Sequence, residues 1–264
     1  MNLITRVGAT WLRPTIESAG FAVSIGLQSL LTLPHLPRRM RATLDQMHLV
    51  GVKTMPVVLM VGFFVGMILS LQVGQQLATF SQQESIGLIV APLMALEMSP
   101  LITAILLAAS VGSAMAAELG TMKVQEELTA LNVLSVNVIS YLVLPRVIAL
   151  TLMAPLLSLL VTWVATLGGG IIAVSQLGLS FEGYINNSLD SMRVIRETIP
   201  VPKYLFDGLL KATIFGFVTA VVGCASGMTA SNGAQGVGQT TRSAVRNAIV
   251  LIIVLDFFLG KVLM

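Results

Sequence analysis

Charge is scarce in this chain. Asp, Glu, Lys and Arg make up only 10% of its 264 residues, where a soluble domain ordinarily carries about a quarter. Histidine occurs twice, at His35 and His48, both in the N-terminal section, so neither a His-pair metal site nor a His-based triad can be assembled further along. The single cysteine, Cys224, excludes an intrachain disulfide and, set in an apolar stretch, reads as a packed thiol. No Gly-x-x-x-x-Gly-Lys-Ser/Thr run occurs. The string Gly233-Ala234-Gln235-Gly236-Val237-Gly238 lacks the lysine and follows an apolar helix instead of a strand, so it reads as a tight connection. No cofactor, metal or nucleic acid is expected, because the net charge of +3 comes from residues clustered between apolar runs.

What the chain has is apolar mass, 55% of its residues, with a mean hydropathy of +0.90. Lipid must be its solvent, and each crossing needs about 20 apolar residues. Residues 14–33 place Ile16, Ala19, Val23, Leu27 and Leu30 at helical spacing against Glu17, Ser24, Gln28 and Thr32, the pattern of a helix lying on a membrane. Interruptions in Ala19–Leu33 and the lack of a small-residue cleavage site argue against a removable signal. Pro34-His35-Leu36-Pro37-Arg38-Arg39-Met40-Arg41 then stops that helix. Residues 1–53 are therefore expected to form an N-terminal interfacial segment, and 54–264 a membrane domain.

Five spans are expected: Thr54–Leu77, Ile86–Ala117, one long span within Tyr141–Leu177, Tyr204–Met228 and Arg242–Leu263. Gly62, Gly66, Ser70 and Gly74 form a small-residue stripe on the first span, and Ala104, Ala108, Gly112 and Ala116 form one on the second. Such stripes let backbones approach closely in lipid, so the first two spans are expected to pack face to face. Pro92 and Pro100 predict a kink or break in span two. Thr229–Thr241 is read as a Gly-rich turn, and Ser180–Pro202 as a small external element. Glu118–Leu134 keeps Leu119, Met122, Leu128, Leu131 and Leu134 at helical spacing among Glu118, Lys123, Gln125, Glu126 and Glu127. It reads as an amphipathic helix outside the bilayer, a lever a partner could grip.

Orientation follows from lysine and arginine near the span ends. Arg6, Arg13, Arg38, Arg39, Arg41, Lys53, Lys123, Arg146, Arg242 and Arg246 fall on one side and Arg193, Arg196, Lys203 and Lys261 on the other. That bias puts the N-terminus inside and the C-terminus outside. Splitting Tyr141–Leu177 into two spans would lose it. Glu97 is the most informative side chain, because an intramembrane acid usually faces a cavity or a partner. Lys211 is long enough to snorkel towards an interface, and Asp256 in span five is similarly ambiguous.

Several strings resemble the MlaE/YrbE-type permeases of lipid-transporting ABC systems associated with MCE-domain proteins. They include Gly66-Met67-Ile68-Leu69-Ser70-Leu71-Gln72, the run from Val111 through Ala116-Ala117-Glu118-Leu119-Gly120-Thr121-Met122-Lys123 to Leu128, Leu144-Pro145-Arg146-Val147, Gly208-Leu209-Leu210-Lys211-Ala212, and Gly233 through Arg242. The resemblance covers about Leu49 to the end. It implies an all-α permease with five transmembrane helices per chain, an N-terminal interfacial helix, and a cytoplasmic coupling helix that docks a separate ABC ATPase. It further implies a homodimer in an inner membrane, a STAS-type subunit inside, an MCE-domain protein outside, and phospholipid or a related lipid as cargo. Glu97 matches the acid of the family's Arg-Glu-Leu-Gly-Pro motif, which reads Leu96-Glu97-Met98-Ser99-Pro100 here, and a second family arginine is Ser110. Both departures remove positive charge from span two and leave Glu97 without the motif's neighbour.

The expected mechanism has two copies enclosing an apolar cavity, with Leu69, Val73 and Leu77 facing acyl chains and Glu97 at its polar end. Glu118, Lys123, Glu126, Glu127 and Leu128 would engage the ATPase. Two rival readings are an ion- or proton-coupled secondary transporter titrating Glu97, which the absence of an inverted repeat opposes, and a non-transporting scaffold.

Overall fold

The computed structural model describes residues 13–195 and 202–263; Arg6, Arg196 and the external element's Pro200-Val201 lie outside the described residues. Among the described residues, five helical stretches are long and apolar enough to cross a membrane: Leu36–Thr79, Gln83–Val124, Ile139–Leu177, Lys203–Met228 and Gly233–Leu263. The helices within and around them are α1 (Arg13–Leu31), α2 (Met40–Gly51), α3 (Met55–Thr79), α4 (Ile86–Leu93), α5 (Ser99–Leu107), α6 (Ser113–Val124), α7 (Glu127–Val133), α8 (Leu144–Leu177), α9 (Phe181–Met192), α10 (Lys203–Met228) and α11 (Gly233–Leu263). The chain is thus an all-α polytopic membrane protein. Helix α8 runs unbroken for 34 residues, about 50 Å at 1.5 Å per residue, so the third span is single and longer than a bilayer core.

Two local expectations need correction, while the kink or break expected in span two takes the form of wide π turns at Met94–Met98 and Ala108–Gly112 that join three helical pieces. Pro100 cannot donate to the carbonyl of Leu96 and crowds it, and a widened turn accommodates the mismatch. The expected single helix Glu118–Leu134 is broken at Glu126, whose φ of 62° is left-handed; α6 ends at Val124 and the seven-residue α7 begins beyond it. The glycine run Gly233–Gly238 is the first part of α11, not a loop. The connection is confined to Thr229–Asn232, and a Cβ on Gly236 would collide with the Ser231 carbonyl, so glycine there permits the sharp entry into the helix.

The described chain divides into two compact units. The first is drawn from residues 1–47, 108–150 and 217–251. Its interior holds Val111, Met115, Leu119, Leu150 and Cys224, all nearly inaccessible. Here Gly223 approaches Gly112, and Gly227 approaches Ala116, closely enough that an added Cβ would lie 2.9 and 2.7 Å from their respective carbonyls. Helix α1 packs through Ile25 and Gly26, the latter against Phe217 and Val221, and leaves Val23, Leu27, Leu30 and Leu31 exposed. Arg39 lies over the Tyr141 ring at 4.4 Å, a cation–π contact.

The second unit comprises residues 48–107, 151–216 and 252–264. Its apolar core is Ile86, Val90, Met94, Ala165, Ala173 and Tyr184. The stripe on α3 packs against α8: Gly62 meets Val161, Gly66 meets the Ala165 carbonyl, Ser70 donates to the Gly169 carbonyl at 2.9 Å, and Gly74 meets Leu177. The two small-residue stripes therefore do not face each other. Each found its own complement, because Gly168-Gly169-Gly170 and Ala165 give span three a matching low surface, while Gly223 and Gly227 give span four one. Helix α9 is capped by Ser180, whose hydroxyl accepts from Gly183 N at 3.1 Å, and lies against Gly87, Gly169 and Gly170. Burial pushes the Tyr184 phenol up to about 12, so it stays protonated through the physiological range.

Two substitutions separate these contacts. Gly66→Ala forces a Cβ onto the Ala165 backbone and is expected to destabilise the purified protein by about 1–3 kcal/mol. Tyr184→Phe removes a buried hydroxyl that has no hydrogen-bond partner among the described residues and is expected to change stability by less than about 1 kcal/mol. Thermal unfolding in detergent, followed by aggregation of the melted fraction, measures both.

Candidate functional site

Lysine in the middle of an apolar helix needs a partner, because the charge costs several kcal/mol to bury alone. Lys211, on α10, is completely inaccessible and does not snorkel. Its ammonium lies 2.6 Å from Glu97 Oε2 and 3.1 Å from Asp256 Oδ1. One cation thus joins the π turn of span two, span four and span five within the second unit. The neighbour that Glu97 lacked in its own motif comes from another helix.

The surrounding backbone makes room for this cluster. Gly208 on α10 sits so close to the Ala95 carbonyl that any Cβ would collide with it, which brings span four against the π turn that carries Glu97. Gly260, one turn beyond Asp256, leaves space over the charges: a Cβ there would be 3.6 Å from both Glu97 Oε1 and Lys211 Nζ. Asp207, four residues before Lys211 on the same helix face, is also fully buried. Lys211 is sealed, while the Glu97 and Asp256 side chains keep 21% and 18% of their surface accessible. Carboxylate edges are what the cluster presents outward.

Leu69, Val73 and Leu77 lie on the face of α3 that packs against the Ile86, Val90 and Met94 core, each partly accessible. The structure places them beside Glu97's helix but does not bring them into contact with the charges. Ala104, Ala108 and Gly112 are buried.

The other candidate residues belong to the first unit. Glu118 is half exposed and accepts from Arg146 Nη2 at 2.9 Å. Arg146 Nη1 also donates to the Leu142 carbonyl at 2.9 Å, within the π turn Ile139–Val143. One guanidinium therefore ties the end of span two to the start of span three. Lys123, Glu126 and Glu127 are exposed, whereas Leu128 turns inward and anchors α7. Val133 and Leu134 close this segment as large exposed apolar side chains. Beneath α7, a hollow of about 560 Å³ is lined by Lys123, Asn132, Ser135 and Asn137 among others.

Lys211 and Asp256 had sequence signals, each being a charge inside an apolar span, but nothing in the spacing showed that they meet.

Five apolar helices, three of which meet at a shared ionic cluster, make the chain a multi-pass membrane protein. The family model described as Permease MlaE matches residues 43–262. The chain is 37% identical to a probable ABC transporter permease protein of Synechocystis, over 83% of this chain and 81% of that one. It is 29% identical to the intermembrane phospholipid transport system permease protein MlaE of Haemophilus influenzae, over 89% of this chain and 87% of that one. It is 37% identical to the chloroplast protein trigalactosyldiacylglycerol 1 of Arabidopsis thaliana, over 84% of this chain and 61% of that protein. The chain belongs to the MlaE permease family, and it is an ABC transporter permease, a transport subunit.

Lys211→Met strands two carboxylates in a low-dielectric site, and losing one partner of a buried pair costs about 3–5 kcal/mol. The variant is expected to melt well below the wild type, and Glu97→Gln in the same background to recover part of the loss. Paired melting curves check the coupling.

Proposed function

We propose that this chain is the permease subunit of an ABC system that moves phospholipid or a related lipid between the inner membrane and another envelope layer. A separate ATPase subunit supplies the energy. The observation that carries this reading is the Glu97–Lys211–Asp256 cluster set in otherwise apolar spans, in a chain whose relative is named for intermembrane phospholipid transport. An amphiphile needs both surfaces.

The permease works as a homodimer. Span five supports this, because only 17% of its most apolar window is buried, against 67% for span four. Val254, Phe257 and Phe258 stand exposed along it, and a second copy would cover part of that face. The two copies enclose an apolar path in which Leu69, Val73 and Leu77 touch acyl chains and Glu97 marks the polar end. The N-terminus is cytoplasmic and the C-terminus lies outside, facing an MCE-domain protein; a STAS-type subunit joins the ATPase within.

The α6–α7 segment is the ATPase handle. Glu126 and Glu127 project from it, Val133 and Leu134 offer an apolar edge, and the Glu118–Arg146 pair links it to span three. When the ATPase subunits close on ATP, the handle moves with them, shifting spans two and three and expelling lipid towards the external partner.

Glu126→Lys with Glu127→Lys is expected to abolish ATPase co-purification and lower ATP-driven lipid transfer between vesicles at least about tenfold. Intact association and transfer would refute the handle. A phospholipid carrying a photoreactive acyl chain should label Leu69 and Val73 in the assembled complex, and consistent failure to label either would refute the path. Transfer should persist when the proton gradient is collapsed and stop without ATP; the reverse would favour a secondary transporter.

A further inference from the structure

The first unit contains a second amphipathic recess that the transport path does not use. It is a cleft of about 500 Å³ between α1, the C-terminal part of α10 and the Ser243–Leu251 stretch of α11. Phe21, Val222, Ala225, Val250 and Leu251 form apolar walls. Towards Thr229, just beyond α10, and Ser243 on α11 the lining becomes polar, with Ser226, Arg246 and Asn247 completing that end. Along α10, Val222 and Ser226 are separated by about 6 Å of helix rise, so the lining passes from apolar to polar along the cleft.

Arg246 sets the chemistry. Its Nε–H donates to Asn247 Oδ1 at 3.4 Å, and no carboxylate lies within ion-pair distance of it among the described residues. The terminal guanidinium nitrogens remain available, as does the Asn247 amide N–H. A guanidinium fork of this kind matches phosphate geometry. Charge complementarity at one end and an apolar trough at the other select an anionic amphiphile, and a membrane-embedded chain meets phospholipid first.

We propose that this cleft holds an anionic phospholipid drawn from the surrounding bilayer, its phosphate against Arg246 and an acyl chain along Val222 and Leu251. The lipid is a resident of the permease, separate from the cargo. The inference rests on the proposed topology only in assigning this end of spans four and five to the inner leaflet.

The test uses the full transporter complex in phosphatidylcholine nanodiscs doped with a photoreactive phosphatidylglycerol or, separately, with its phosphatidylcholine counterpart. Labelled peptides are mapped by mass spectrometry without ATP, so the readout stands apart from transport. The phosphatidylglycerol probe should label peptides containing Phe21 and Val222 more strongly than the phosphatidylcholine probe does. Arg246→Gln should cut that labelling about fivefold, and Arg242→Gln, a neighbouring cation that does not line the cleft, should leave it unchanged. Ala22→Trp, which fills the cleft while keeping the charge, should remove label from both probes. Equal labelling by the two headgroups, or label undiminished in Arg246→Gln and Ala22→Trp, would overturn the proposal. So would crosslinks placing a second copy of the chain in the cleft.

Discussion

Helices dissolved in lipid gain nothing from hiding leucine from leucine, since hydrocarbon surrounds them either way. Attraction must come from backbones close enough to touch and from polar groups that lipid cannot satisfy. This constraint accounts for the arrangement of the second unit. Ser70 reaches the Gly169 carbonyl because Gly66 and Gly169 carry no side chains that would hold α3 and α8 apart. The same economy repeats where Gly208 touches the Ala95 carbonyl and where Gly223 and Gly227 meet span two. Large apolar residues are displaced outward, which is why Trp163, Leu167 and Phe257 stand exposed on a stable bundle.

The shared lysine adds direction to these contacts. Shape alone permits helices to slide or rotate by a residue, whereas Lys211 accepts only the register in which Glu97 and Asp256 both reach it. A mismatch would leave a charge in hydrocarbon, so the cluster selects one arrangement of spans two, four and five from several that would pack about equally well. The Arg146–Glu118 pair does similar work in the first unit, with one guanidinium spanning a side chain and a backbone carbonyl.

The architecture was largely legible in the sequence because hydropathy is a long-range average: five spans and the single long third span follow from runs of twenty or more residues. The partners of the small-residue stripes were not. Spacing shows that Gly62, Gly66, Ser70 and Gly74 share a face, but Gly169 and Gly223 are equally suitable complements, and only the three-dimensional arrangement assigns each. The Glu126 break was hidden for a related reason, since a left-handed glutamate leaves no compositional trace. Lys211 was visible as an oddity, yet its meaning depended on two acids 114 and 45 positions away.

Span two carries a further consequence in its two π turns. Each wide turn admits one more residue than an α-helix would and so resets the angular phase of everything that follows, by about 100° for a residue. The pieces α4, α5 and α6 are consequently indexed independently: one phase aims Ile86 and Val90 into the second unit's core, and another aims Leu119 into the first unit's. Span two is therefore a jointed shaft, in which each π turn re-aims the helical piece that follows it.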